Sequence, residues 1–216
     1  MKTHVIITDC KESERFPGKN DLLKEHVAEW LMEEYVPDDM HVWYVVREDE
    51  NFKGQVDFGN WHVLSCPDTE EMDDHKKLIK WIWQEIAEDD DKGILLQLTQ
   101  PVRKQGILGE TEGLIELDNV VVSYVQWTNE HWRMVDNGTL EFAGERDKEV
   151  SHKFFDGAVF GWQGNPEKIF DIVNQKKTWV KNGTMPVCDI DRPWQYHEAY
   201  LEGLKELYKK NESLYD

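Results

Sequence analysis

Gly93-Ile94-Leu95-Leu96-Gln97-Leu98 carries apolar side chains on both of its alternating faces. Such a strand has to be covered from two sides, as the central strand of a parallel sheet is. The segments around it agree. His4 to Thr8 reads as a buried strand, and Leu23, Val27, Trp30 and Leu31 recur at helical spacing before Pro37 closes that helix. His41 to Val46 and Trp61 to Leu64 read as further strands, and Leu78, Ile79, Ile82, Trp83 and Ile86 lay an apolar stripe along one helix face. Another helix is expected from Gln105 to Leu117. Strands alternating with helices give βαβ units, hence an α/β domain with a mostly parallel sheet flanked by helices.

After Leu117 the pattern changes. Val120 to Trp127 is a long β-rich run, Trp132 to Phe142 reads as a hairpin around Asn137-Gly138, and Asp156 to Trp162 is another strand. Asn182-Gly183 reads as a second turn of the same kind. Asn165-Pro166 opens a short helix through Val173, and Pro193 opens a last one on which Tyr200, Leu204, Leu207 and Tyr208 share a face. No repeat or linker divides the chain. Residues 1–216 therefore read as one α/β domain with a small antiparallel element around 120–155.

Charge and composition exclude several classes. The chain has 25 Lys and Arg against 44 Asp and Glu, a net charge of −19, which disfavours contact with a phosphate backbone, so no nucleic acid partner is expected. No apolar run approaches the ~20 residues of a membrane span, and a charged residue interrupts the amino-terminal apolar run too early for a secretory signal. Cys10, Cys66 and Cys188 form no C-x-x-C pair, so free thiols and a soluble cytoplasmic protein are expected. The eight histidines show no H-x-H or H-E-x-x-H spacing that would suggest zinc. Asp89-Asp90-Asp91 reads as a solvated helix end.

In sheets of this kind ligands bind beyond the carboxyl ends of the strands. Three segments expected there carry suggestive chemistry. Residues 1–20 hold Lys2, Lys11, Arg15 and Lys19 against Asp9, Glu12 and Glu14, a relatively basic stretch on an acidic chain and a place to grip phosphate. Gly18 allows close backbone approach and Asn20 can cap the next helix, although from the loop alone an ordinary solvated turn with a helix cap is the simpler reading. Asp189 and Asp191 stand two apart before Pro193; in an extended segment their carboxylates point the same way and suit Mg²⁺, unless Asp191 merely caps the last helix. Gln97, Thr99 and Arg103 end the central strand with an amide, a hydroxyl and a guanidinium, or with a proline turn and a solvated arginine.

Together these segments resemble the cytidylyltransferase family that includes the CMP-sialic acid synthetases. Ile7-Thr8-Asp9-Cys10-Lys11-Glu12-Ser13-Glu14-Arg15-Phe16-Pro17-Gly18-Lys19-Asn20 has the length and ending of the family's I-P-A-R-G-G-S-K-R-I-P-G-K-N. Leu95 to Arg103 is similar to its L-L-Q-P-T-S-P-L-R, Asp156-Gly157-Ala158-Val159-Phe160 to its N-G-A-I-Y, and Asp189-Ile190-Asp191-Arg192-Pro193 to its D-I-D-T-P. Arg146 lies where the family's R-Q motif precedes that glycine.

The resemblance implies the Rossmann-like nucleotide-diphospho-sugar transferase fold and a reaction. The anomeric hydroxyl of a 2-keto sugar acid attacks the α-phosphate of CTP, and pyrophosphate leaves. Such chemistry depends on positioning and charge neutralisation. It implies Lys11, Arg15, Lys19 and Asn20 for the nucleotide, with Lys19, Asp189 and Asp191 catalytic and the two aspartates holding Mg²⁺. It implies Gln97, Arg146 and Arg133 for the sugar acid. A homodimer is expected, as in the family, and ten tryptophans supply aromatic surface or simply core; Trp81 and Trp83 cannot both point inward from one helix.

The chain departs from the pattern on the nucleotide side. Cys10 replaces the arginine of P-A-R, Glu14 a lysine, and Cys66 the arginine of an R-P step after the third strand. Each lost charge-assisted bond to phosphate is worth roughly 1.5–3 kcal/mol. Two alternatives therefore stand beside the enzyme: a fold that binds a sugar acid or a protein partner without transfer, and a transferase using another nucleotide.

Overall fold

The computed structural model describes residues 1–10, 17–33, 36–37, 39–48, 55–117, 119–129, 132–134, 140–142, 150–183, 190, 196–197, 201–203 and 205–206. Along the chain run β1 (Thr3–Asp9), α1 (Lys19–Glu33), β2 (Met40–Arg47), β3 (Gln55–Phe58), β4 (Trp61–Cys66), α2 (His75–Ile86), β5 (Lys92–Leu96), α3 (Ile107–Leu114), β6 (Val120–Asn129), β7 (Trp132–Met134), β8 (Leu140–Phe142), β9 (Val150–Gln163) and β10 (Lys177–Gly183).

Eight strands form one sheet in the order β10-β6-β9-β5-β1-β2-β4-β3, and β7 pairs with β8 in a separate two-stranded ribbon. The ladders make β1, β2, β4, β5, β6 and β10 parallel to one another, with β3 and β9 antiparallel. From β1 the chain moves outward to β2 and β4, then returns to place β5 on the other side of β1. The crevice between β1 and β5 is thus a topological switch point, where open α/β sheets bind ligands.

The sheet is covered on both faces, as the apolar run of β5 requires. Val5 and Ile7 of β1 and Ile94 and Leu96 of β5 pack with Val27, Trp30 and Leu31 of α1 and Ile107 and Leu108 of α3. Ile6 and Leu95 face the other way, onto Leu78, Ile79, Ile82 and Trp83 of α2 and onto Trp162 of β9. Trp83 belongs to this core and Trp81 lies at its margin. Gly93 sits opposite Trp162 in the β5–β9 ladder, and the indole occupies the space a side chain at 93 would need.

Several expectations are corrected. The helix expected from Gln105 to Leu117 is Ile107–Leu114. Asn165-Pro166 begins not an α-helix but a 3₁₀ turn, Pro166–Phe170, with the Asn165 side chain accepting the Glu167 N–H at 2.9 Å. Beyond Ile169, Phe170 and Val173 are exposed and Ile172 packs only partly against the core, which leaves little buried surface to hold a longer helix. Asn182 is a strand residue of β10, almost wholly buried, not a turn. β3 and β10 were not expected from the sequence. The Trp132–Phe142 hairpin is present as β7 and β8, while Asn137-Gly138 and the start of the last helix at Pro193 lie outside the described residues.

Asp91 is not part of a solvated helix end: it is buried, while Asp89 and Asp90 are exposed. It accepts hydrogen bonds from the Lys2 N–H (2.6 Å), the Glu88 N–H (3.1 Å) and His4 Nε2 (3.0 Å) at the amino edge of the sheet. Trp43 Nε1 donates to His4 Nδ1 at 3.0 Å, which leaves the His4 proton on Nε2, toward Asp91. Next to this triad His41 Nδ1 lies 2.9 Å from His62 Nε2, and His62 Nδ1 lies 2.6 Å from Asp57. Three strands thus bring three histidines into one row, which no local spacing announced. Burial pushes the pKa values of His4 and His41 down. For Asp91 burial works the other way, but the bonds from Lys2, His4 and Glu88 outweigh it and hold the carboxyl below its usual range.

Candidate functional site

The carboxyl end of β1 leads through residues 11–16, which lie outside the described residues, to a turn at Pro17-Gly18. Gly18 has φ +72°, a backbone conformation that glycine alone adopts without strain, and its carbonyl accepts the Leu22 N–H. α1 starts at the next residue, so Asn20 lies in its first turn and not at the cap. Lys19 is 7% exposed. It is therefore not the cation of a solvated turn: the residue is buried at the first position of α1.

At the end of β5 the backbone turns sharply. Gln97 N–H donates to Ala158 of β9 at 3.2 Å, and its carbonyl accepts the Gln100 N–H at 3.1 Å and Nη2 of Arg103. Arg103 is not solvated either; it is buried, with its guanidinium carbon 5.5 Å from the centre of the Trp30 ring of α1. Gln97, half-buried, directly follows β5 at the switch point.

The third segment arrives at the same place. Ile190 N–H donates to the Thr99 carbonyl at 2.8 Å, and the buried Ile190 packs with Leu23 of α1, Val102 after β5 and Leu201. Leu23 is one helical turn from Lys19. The first loop's helix, the end of β5 and the residue between Asp189 and Asp191 are therefore packed together. Asp189 and Asp191 themselves, with Lys11, Arg15 and Arg146, lie outside the described residues. Arg133 is in β7, opposite Glu141 of β8 in the separate two-stranded ribbon.

A buried polar network braces the neighbouring edge. Asp156 accepts hydrogen bonds from Ser123 Oγ of β6, from the Ala158 N–H at 3.2 Å and from Asn182 Nδ2 of β10 at 2.8 Å. Asn182 Oδ1 accepts the Lys104 N–H at 2.9 Å, and Ser123 Oγ accepts the Val159 N–H at 2.8 Å. The network joins β6, β9 and β10 to the loop after β5.

Sequence reasoning missed Tyr44 and Arg47 of β2 and did not place the thiols of Cys10 and Cys66. Tyr44 Oη donates to Asp9 Oδ2 at 2.6 Å, and burial with that carboxylate pushes the phenol pKa far up. Cys10 and Cys66 are both buried and face the apolar cluster on the α2 side. Cys10 Sγ lies 3.4 Å from the Val45 carbonyl, and the hydrogen bond with Cys66, then burial, push the Cys10 thiol up. Arg47 ends β2, half-way between these thiols in the strand order, with Nη1 2.5 Å from Asp68 and Nη2 2.7 Å from Asp73. A lone cation closing an apolar strand is the signal that would have found it. Among the described residues no group of three metal-ligating side chains is assembled, and no helix is long and apolar enough to cross a membrane.

No protein-family model matches the chain, and no curated protein sequence matches it. Solved structures do. HddC from Yersinia pseudotuberculosis aligns with a TM-score of 0.54 at 12% identity, over 94% of this chain and 100% of that one. The 4-diphosphocytidyl-2C-methyl-D-erythritol synthase of Anaerococcus prevotii aligns at 0.52 and 12%, over 93% and 96%. A CMP:2-keto-3-deoxy-manno-octonic acid synthetase complexed with CTP aligns at 0.51 and 14%, over 97% and 99%. The chain has the nucleotide-diphospho-sugar transferase fold. At such identities the likeness is one of fold, and function has to be argued from the site.

Proposed function

We propose that this protein is a nucleotidyltransferase that moves a cytidylyl group from CTP to a 2-keto sugar acid of the sialic-acid kind. The observation that carries the reading is the packing of Ile190 against Leu23 and Val102, with its N–H on Thr99, at the switch point between β1 and β5. It draws together three segments whose side chains are matched to one task. Lys19 neutralises phosphate charge at the start of α1, with Lys11, Arg15 and Asn20 around the nucleotide. Gln97, with Arg146 and Arg133, faces the acceptor. Asp189 and Asp191 hold Mg²⁺, which screens the charge on the phosphates. The acceptor hydroxyl oxygen forms the new bond to the α-phosphorus, its proton passes to solvent water, and the bond to the departing pyrophosphate breaks. Solved structures of the same fold support a nucleotide donor, one of them complexed with CTP. A homodimer through the 120–155 element belongs to the same reading; Phe155 and Trp179 offer exposed aromatic surface near it.

A second reading has its own observation. Cys10 and Cys66 are built into the apolar core and make no phosphate-facing cation, which favours a changed nucleotide or a site that binds without transfer.

The test is pyrophosphate release from CTP and Mg²⁺ with a panel of 2-keto sugar acids, alongside thermal unfolding with CTP, UTP, GTP and ATP. Binding at a hundred times Kd adds about 2.7 kcal/mol, a rise of several degrees in the midpoint. Lys19→Met is expected to weaken CTP by one to two powers of ten, and Asp189→Asn and Asp191→Asn to abolish release. Turnover retained in both aspartate variants overturns the metal assignment. A shift with another nucleotide alone changes the donor, and no shift with any nucleotide rejects the transferase reading.

A further inference from the structure

Arg47 occupies a position that the enzyme reading above leaves without a task. It is the last residue of β2, at the carboxyl edge of the sheet beside the first loop. In the ladder it stands opposite Cys66 of β4, and its Nε–H donates to the Cys10 carbonyl at 2.7 Å, where β1 passes into that loop. The side chains on either side, Cys10 and Cys66, are buried thiols that present no charge. One guanidinium therefore marks the entrance to the loop, on a chain of net charge −19 that has to receive a polyphosphate.

We propose, on the basis of the nucleotide reading, that Arg47 is the cation that grips the donor's phosphates at this edge. In the free protein Asp68 and Asp73 hold it in reserve. The two carboxylates come from the segment between β4 and α2 and take one N–H from each end of the guanidinium fork. Asp68 holds most to keeping that guanidinium charged, then Asp73. Phosphate oxygens match the same planar fork, so binding exchanges one pair of oxyanions for another without moving β2. The displaced carboxylates are exposed at 65% and 47%, and such surface pairs are weak and screened by salt, so the exchange costs little. The arrangement also repels the wrong occupant: until the fork is taken, the carboxylates present negative charge to an anion approaching without a cation.

A merely structural Arg47, stapling the β4–α2 segment to β1, makes the opposite predictions, and calorimetric titration with CTP and Mg²⁺ separates the two. Wild type, Arg47→Ala, Arg47→Lys and the double variant Asp68→Asn/Asp73→Asn are compared at low and high salt, with circular dichroism reporting the fold of each. The expected result is a ten- to hundredfold weaker Kd for Arg47→Ala, partial recovery in Arg47→Lys, and a severalfold tighter Kd for the double variant that fades at high salt. Should Arg47→Ala not fold, the double variant, which keeps the guanidinium, decides. CTP binding unchanged in a folded Arg47→Ala, or weakened in the double variant, overturns the proposal. Absence of CTP binding in wild type is a different failure, which removes the nucleotide reading and this inference with it.

Discussion

Gly93→Ala tests how β5 is set into the core. The backbone at Gly93 is ordinary strand, so the requirement for glycine there is one of space. An added Cβ would lie within 2.8 Å of three carbons of the Trp162 indole, whereas unstrained carbon contacts fall at about 3.5–4.0 Å. Relief takes one of two forms. If β5 and β9 part, overpacking of this kind costs about 1–3 kcal/mol. If the fully buried Trp162 ring leaves its place against Trp83, the loss approaches the 3–5 kcal/mol of truncating a core aromatic. A value of about 3 kcal/mol in a chain of this size lowers the thermal midpoint by about 6–12 °C. The assay is thermal unfolding followed by far-ultraviolet circular dichroism. The double variant Gly93→Ala/Trp162→Leu should cost less than the sum of its parts, because the smaller side chain vacates the disputed space. A drop under about 2 °C for Gly93→Ala, or simple additivity in the pair, would refute the argument. Gln97 lies four residues on in the same segment, so Gly93→Ala also reports whether the carboxyl edge depends on the seating of β5.

Two further outcomes follow from buried polar groups. His4 and His41 titrate below their ordinary value in the folded chain and near pH 6.5 when unfolded, so the unfolded chain binds more protons under mild acid. Their contribution is complete above about pH 6.5 and is lost as pH falls through the lower folded values, at up to about 1.4 kcal/mol per pH unit for each group; Asp91 adds acid sensitivity further down. Urea midpoints should be level above pH 7 and fall toward pH 5, and a level or rising midpoint there would exclude this account. Asp156→Asn should destabilise by about 1–3 kcal/mol in urea, because the new amide turns an NH₂ toward either the Ala158 N–H or the Asn182 NH₂, which the Lys104 N–H fixes in place. Unchanged stability would show that the network accepts an amide.

The local pattern was sufficient for β2, β4, α1 and α2, which show a buried set of side chains at a fixed period, and for β1 and β5, whose short continuous apolar runs match burial on both faces. Leu23, Val27, Trp30 and Leu31 are all buried as the spacing required. It was insufficient for β10, Lys177–Gly183, whose alternation is interrupted by Lys181 and Asn182 and whose place is set by its ladder with β6. It also overstated the solvation of single charges. Lys19, Asp91 and Arg103 read as surface groups, yet all three are buried; Asp91 and Arg103 find their partners in residues distant along the chain or in backbone.

What the sequence alone determined is the parallel α/β plan, the two-sided burial of β5 and the collinear motifs that point to nucleotidyl transfer. These are properties of neighbours along the chain: period, turn residues and order. The tertiary structure decided the rest. It inserted the antiparallel β9 between β5 and β6, brought Ile190 against Leu23 and Val102, aligned His4, His41 and His62, and set Arg47 between two buried thiols. Each of these depends on which strands become neighbours in the sheet. That choice is made by packing whole faces against one another, and no single segment carries it.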